Sequence, residues 1–309
     1  MDEFPFDGEG ILRVAVAKKI GIDPHRIYRA AREHKIEPLV PGVYVLPTAR
    51  RPVHRHRLEA LSASVGPGTV ISHSSAAVVH QLAMLRPDLS RLHITAVEGS
   101  AGYRRSHRFL HPGRLAEADI VEVDGVRLTS PARTAFDVAR TSPAGFPGSL
   151  AVFDSALRAH VDVDLLAGFC RGRQRNVGIA RTALELADGL SENPGESWSR
   201  AQMILAGLPT PELQVEIFDE YHLFVARPDF VWRDATGAIR VAGEFDGLGK
   251  YLDYLREGET PQDVIAREKR REAKLEDMGI LVVRWTWDDL HAQVVVGRVR
   301  RKLQLAGLV

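Results

Sequence analysis

The sequence is poor in cysteine, and its one thiol, Cys170, excludes an internal disulfide and any zinc site built on several cysteines. Within Leu-Ala-Gly-Phe-Cys it reads as a small buried apolar residue, and it is assigned no role. No run approaches the roughly 20 consecutive apolar residues that a membrane helix needs. The start, Met1-Asp2-Glu3-Phe4-Pro5, lacks the basic-then-apolar layout of a signal peptide, so a cytoplasmic protein with no membrane partner is expected. Charge of one sign is also missing in bulk. The chain has 41 basic and 40 acidic residues and a net charge of +1, which by itself implies no polyanionic partner.

What is present is ordinary in amount and uneven in distribution. A length of 309 residues exceeds one compact core and suits two or three domains, and 45% hydrophobic with 26% charged residues is a globular balance. Between Arg50 and Arg114, ten arginines (50, 51, 55, 57, 86, 91, 104, 105, 108, 114) face three acids, Glu59, Asp88 and Glu98. Seven histidines (54, 56, 73, 80, 93, 107, 111) add donors to that excess of seven. The stretch is either a surface for a polyanion or the solvated basic face of a chain in which 34 of 41 basic residues are arginine.

The first 46 residues predict helix, turn, helix and a short hairpin. Ile11 to Ile20 has helical apolar spacing and stops at Gly21, and Asp23-Pro24 supplies an N-cap with proline at the first helical position. The alternating stretch from Ile36 to Leu46 turns at Pro41-Gly42, as the wing of a winged helix does. In that arrangement the second helix enters the major groove, and Arg26, Arg29, Arg32 and Lys35 are the DNA-facing side chains. The same spacing on an ordinary helix is a solvated basic stripe, and spacing alone leaves the two readings even.

The string Ile11 to Pro47, ending Pro-Gly-Val-Tyr-Val-Leu-Pro, resembles the N-terminal winged helix of AbiEi-type antitoxins. Val121 to Ala139 is similar to that family's strand, Thr-Ser-Pro-x-Arg-Thr motif and helix. Physically, Val121, Val123, Val126 and Leu128 form a hairpin turned at Asp124-Gly125, with Thr129 or Ser130 capping a helix that has Pro131 in its first turn. Arg133 and Asp137, four apart, pair on that helix. The resemblance implies operator binding and, as partner, a cognate toxin or a second copy of the chain.

Two helical stretches, Leu150 to His160 and Ile179 to Leu190, predict a connector, and Ser191-Glu-Asn-Pro-Gly195 the boundary of the last module. From Glu196 the expected order is α-β-β-β-α-β. A strand runs from Leu213 to Phe218, a hairpin around Asp234 to Gly237 joins Asp229 to Glu244, and a long helix leads to Met278. Antiparallel neighbours bring Asp229 near Glu244, and residues two apart on a strand put Glu244 and Asp246 on one face. Glu196 approaches from the preceding helix as a fourth acid. Clustered carboxylates repel one another, and oxygen ligands suit a hard divalent cation.

This segment resembles the PD-(D/E)XK nucleases, and within them the very-short-patch-repair group. Pro228-Asp229 matches the Pro-Asp motif, Glu244-Phe245-Asp246-Gly247 the Glu-x-Asp-Gly variant, and Arg267, Arg271, Leu275 and Gly279 to Trp285 the closing helix and strand. The resemblance implies Mg²⁺ or Mn²⁺ held by Asp229, Glu244 and Asp246, assisted by Glu196. Asp246 stands where the parent motif has lysine, so Lys250 or Lys274 is the candidate for the missing cation, with Lys250 positioning the attacking water. Arg267, Arg271 and Lys274 would meet phosphates, although mixed charge on that helix also suits a self-paired surface.

The fold class expected is therefore α/β in the broad sense, a multidomain α+β chain. A winged-helix DNA-binding domain over 1–50 precedes a mixed α/β middle region with a helical connector over 51–190. A restriction-endonuclease-like α-β-β-β-α-β core follows over 191–309. The function expected is binding of double-stranded DNA in the nucleoid with metal-dependent hydrolysis of phosphodiester bonds. The alternative is an antitoxin-like transcriptional regulator with an inactive nuclease-like domain.

Overall fold

In a computed structural model the described residues are 4–66, 68–99, 101–247 and 260–309. The chain is a multidomain α+β protein and forms two compact units. One comprises Met1–Leu82 with Pro87–Val138, the other Ala83–Arg86 with Ala139–Val309.

The first unit begins with strand β1 (Ile11–Arg13), where a helix was predicted to start. Asp7 bonds the backbone N–H groups of Glu9 and Ile11 through Oδ1, and Gly10 takes φ +75°, so the chain enters Ile11 extended. Ile11 and Leu12 are both fully buried, but in different cores. Ile11 packs with Val45 and Leu58, and Leu12 with Ala17, Ile27 and Ile36. That is period-2 alternation, and it reserves the helix for α1 (Val14–Lys19). Helix α2 (Pro24–Arg32) follows, capped by the Asp23 side chain, which accepts from the backbone N–H of His25. Strands β2 (Glu37–Val40) and β3 (Val43–Val45) turn at Gly42, φ +77°, and complete an antiparallel sheet of order β1-β3-β2.

The rest of this unit carries α3 (Pro52–Leu61), β4 (Thr69–Ile71), α4 (His73–Val79) and β5 (Leu92–Ala96). Then come β6 (Tyr103–Arg104), β7 (Arg108–His111), β8 (Ile120–Val123), β9 (Val126–Thr129) and α5 (Pro131–Thr141). The sheet order is β6-β7-β5-β4-β9-β8, which leaves β6 at one edge. The β8–β9 hairpin turns at Asp124 and Gly125, φ +52° and +76°, and pairs Val123 with Val126. The Ser130 hydroxyl accepts from the backbone N–H of Arg133 at 3.3 Å at the start of α5, and Arg133 Nε bonds Asp137 at 2.8 Å.

The second unit contains α6 (Phe146–Arg158), α7 (Val163–Cys170), α8 (Val177–Glu185) and α9 (Pro194–Leu205). Its strands are β10 (Glu212–Leu213), β11 (Ile217–Phe218), β12 (Phe224–Ala226), β13 (Phe230–Arg233) and β14 (Ile239–Asp246). Helix α10 (Pro261–Asp277), β15 (Leu281–Thr286), α11 (Trp287–His291) and α12 (Val295–Leu305) complete it. The helices expected to connect domains belong to this unit, because α6 is buried along most of its length and its Asp154 pairs with Arg200 of α9 at 2.6 Å.

The central sheet has the order β10-β13-β14-β15, antiparallel except for the parallel β14–β15 pair. The single strand expected from Leu213 to Phe218 is interrupted, because Gln214 adopts φ +55° and leaves β11 to pair with β12. Trp285 is buried and donates from Nε1 to the Ser199 hydroxyl at 2.7 Å, while Trp287 starts α11 instead of extending β15.

Candidate functional site

Sheet register assembles the acidic residues of the second unit. Phe230 pairs with Gly243, so Asp229, just before β13, meets Glu244 across the antiparallel pair. The Asp229 carboxylate accepts from the backbone N–H of Phe245 at 2.7 Å through Oδ2. Glu196 lies in the first turn of α9, where Asn193 caps the helix and donates from its side chain to Glu196, and the helix dipole favours an anion. Glu196 also accepts from the backbone N–H of Glu192 at 2.7 Å. Glu196, Asp229 and Glu244 are all buried, at 2%, 8% and 5% exposure, while the Asp246 side chain keeps 25%.

Gln214, which belongs to none of the motifs above, joins two of these acids. Its Nε2 donates to Glu196 Oε2 and to Asp229 Oδ1, each at 3.2 Å. The left-handed backbone at Gln214 turns the side chain inward, and no sequence motif signals that conformation.

The other half of the cluster is held by arginine. Arg284 in β15 is the register partner of Glu244 in the parallel pair, and its Nη2 lies 2.6 Å from Glu244 Oε2. Arg271 of α10 places Nη2 at 2.8 and 2.7 Å from the two Glu244 oxygens. Glu268 bonds both guanidinium groups, at 2.7 and 2.9 Å, and Arg284 Nη1 approaches Asp246 at 3.6 Å. Burial pushes the Glu244 carboxyl up from its ordinary pKa, and the two arginines oppose that rise. Burial works against charge on Arg284 as well, but Glu244, Asp246 and Glu268 outweigh it and raise its pKa overall.

The donor set has the hard-oxygen chemistry that a divalent cation prefers, but its arrangement does not fit one at Glu244. Both carboxylate oxygens of Glu244 are covered by guanidinium nitrogens within 2.8 Å. Among the described residues no group of three or more histidine, cysteine or acidic side chains is arranged to hold a metal.

The remaining sequence-derived candidates are dispersed. Lys274, expected near phosphate, pairs with Asp219 at 2.7 Å, and Arg271, expected there too, is committed to Glu244 and Glu268. Arg267 lies on α10 and is half-buried. Lys250 falls outside the described residues. In the first unit, Arg26, Arg29 and Arg32 are exposed on α2, opposite buried Ile27 and Ala30. Lys35 lies beyond the helix end, past His34 at φ +56°, and pairs with Glu33 at 2.8 Å. Tyr28 is exposed on the same helix, and its ring centroid is 6.5 Å from that of Tyr44 in β3.

The histidine-rich stretch also divides in the fold. His54 and His107 are exposed, but His73 and His111 stack at 3.5 Å between ring centroids, and His111 Nε2 is 3.0 Å from His93 Nδ1. Burial lowers the His93 pKa to about 4, so this ring serves the interior as a neutral group, and His73 and His111 are buried beside it.

No protein-family model matches the chain. Two uncharacterized proteins of Mycobacterium tuberculosis, from strains CDC 1551 and H37Rv, are each 34% identical to it over 195 residues. The similarity covers 61% of this chain and 66% of each relative, so it spans slightly less than two thirds of the relatives' own length.

Proposed function

We propose that this chain is a DNA-binding protein of the regulator type, whose N-terminal strand–helix–helix–hairpin module acts as a winged helix. The observation that carries the reading is the α2 surface. Arg26, Arg29 and Arg32 face solvent while Ile27 and Ala30 anchor the opposite side, and a tight hairpin follows in the β1-β3-β2 sheet. A helix so anchored presents its basic side to the major groove, and the hairpin turned at Gly42 would lie against the neighbouring backbone. Fluorescence anisotropy with duplex DNA at several salt concentrations tests this. Wild type should bind with a salt-dependent affinity, and Arg29→Gln with Arg32→Gln should weaken binding and flatten the salt slope by about 2. A wild-type chain that leaves duplex DNA unbound at low salt would sink the reading.

A second reading, metal-dependent hydrolysis of DNA at the acidic site, is favoured by the convergence of buried Asp229 and Glu244 with Glu196 linked through Gln214. It requires Arg271 and Arg284 to leave Glu244, since their nitrogens cover the oxygens that a Mg²⁺ or Mn²⁺ ion would need. Plasmid nicking with and without Mn²⁺, comparing wild type with Asp229→Ala, separates the two readings. Nicking lost in the variant supports hydrolysis, and its absence from wild type leaves the regulator.

A further inference from the structure

Folding sorts the arginine excess of residues 50–114 into paired and unpaired members. Arg50 and Arg55 are neutralised by Glu37, at 3.5 and 2.9 Å, and Arg57 by Glu9, acids that lie outside the stretch. Arg91 pairs with Asp88 at 3.7 Å. Arg104, Arg105 and Arg108, by contrast, have no carboxylate within ion-pair distance among the described residues. All three belong to the β6–β7 hairpin at the edge of the six-stranded sheet.

Their partners are aromatic or neutral. Arg104 lies over the Phe109 ring at 4.3 Å, Arg105 over Tyr103 at 4.9 Å, and Arg108 donates to the Ser64 carbonyl at 3.1 Å. Stacking and a single carbonyl bond orient guanidinium groups and leave their net charge uncompensated. Tyr103, Arg104, Arg105 and His107 are exposed. An edge strand studded with charge resists pairing with another strand, so a polyanion suits it better than an added β-strand.

The hairpin also shares a groove with the N-terminal module of the same unit. A cleft of about 780 Å³ is lined by Val40 and Pro41 from the β2–β3 turn and by His107 and Arg108 from the basic hairpin, with Arg55 and Ser90. Glu59, the acid in this lining, is occupied by Arg55 at 3.2 Å.

We propose that the β6–β7 hairpin is a second DNA contact, in which Arg104, Arg105 and Arg108 grip the sugar-phosphate backbone of the duplex that α2 reads. This surface rests on the DNA-binding reading above and adds a backbone clamp to it. Phosphate contacts fix register and contribute affinity without sequence preference, and each is registered as released counterions.

The test uses the full chain and duplex DNA of arbitrary sequence, titrated at several salt concentrations without divalent metal. Replacing all three with glutamine (Arg104→Gln, Arg105→Gln, Arg108→Gln) should lower the slope of log affinity against log salt by about 2 to 3. The triple lysine variant should restore most of it, because charge and not stacking on Phe109 or Tyr103 is what the backbone senses. If wild type binds duplex and the glutamine variant keeps its slope, the clamp is wrong while the α2 reading stands. If the lysine variant is as weak as the glutamine variant, the arginines are structural and the proposal fails. If wild type binds no duplex at all, both readings fall together.

Discussion

Arg284 faces Glu244 across the parallel β14–β15 pair, with Nη2 2.6 Å from Oε2, and Arg271 closes on the same carboxylate from α10. The Glu244 side chain is 7% exposed and its two partners 25% and 27%, so the acid is the buried member of the triad. Losing one partner of a buried ion pair costs more than losing the pair as a whole, because the remaining charge stays out of water. Arg284→Leu should therefore destabilise the chain by about 2 to 3 kcal/mol, at the low end for buried pairs because Arg271 still holds Glu244. The double variant Arg284→Leu, Glu244→Leu should recover part of that loss. Denaturant unfolding measures both, and equal stability of Arg284→Leu and wild type would refute the account.

Gln214 combines backbone strain with a bridging role. Its φ of +55° is unfavourable for a residue with a Cβ, and its amide joins Glu196 to Asp229. Gln214→Ala keeps the strain and loses both bonds, which should cost about 1 to 3 kcal/mol. Gln214→Gly also loses the bonds but removes the strain, and should be more stable than the alanine variant by about 1 kcal/mol. Thermal unfolding of the two variants side by side reads that difference, and alanine equal to or better than glycine contradicts it.

Parts of this architecture were legible because they are local. The Asp124-Gly125 turn, the Asp23-Pro24 helix start and the Pro41-Gly42 hairpin each follow from residues that only a few conformations suit, and each forms where expected. The start of β1 has no local signal, because Ile11 and Leu12 are apolar neighbours, and that is compatible with a helix until β3 is present to pair with them. Asp229 beside Glu244 followed from the hairpin between them. The arginine clamp did not, since Arg284 reaches Glu244 through a parallel crossover and Arg271 through helix packing, neither of which has a local pattern. One signal was available: a lone arginine inside the apolar run Ile280-Leu-Val-Val-Arg-Trp285 demands a buried acid nearby.

Gly243 precedes Glu244 where aromatic rings press on the strand. A Cβ at this position would lie 2.8 Å from the Trp285 ring and 3.2 Å from that of Trp232. Both rings are buried and tied in place, Trp285 to the Ser199 hydroxyl and Trp232 to the Pro209 carbonyl. Gly243→Ala should cost about 1 to 3 kcal/mol by overpacking. Trp285 fluorescence should shift with it, and an unchanged melting curve would count against this packing.

His93 makes stability depend on pH. Its pKa falls from 6.5 to about 4 through burial, so the folded chain keeps it neutral where the unfolded chain protonates it. Stability from this group is complete above pH 6.5 and is lost as pH falls toward 4. At pH 5 the loss should be about 2 kcal/mol. His93→Gln removes the titration, so its unfolding free energy should change less between pH 7 and pH 5 than that of wild type. Parallel curves for the two proteins would exclude His93 as the source.

The arginine clamp also sets how the acidic site should respond to metal. The carboxyl groups of Glu244, Asp246 and Glu268 already outnumber the two guanidinium groups, so removing one arginine widens the excess of acid that a divalent cation can offset. A ligand that binds only the folded state raises its stability with concentration, by about 2.7 kcal/mol at a hundredfold excess over Kd. Millimolar Mn²⁺ should thus shift the melting temperature of wild type little, because Arg271 and Arg284 compete for Glu244. It should raise that of Arg271→Gln, with the gain abolished by adding Glu244→Gln. If wild type is stabilised as strongly as Arg271→Gln, the guanidinium groups offer no competition and the clamp has no influence on the ion.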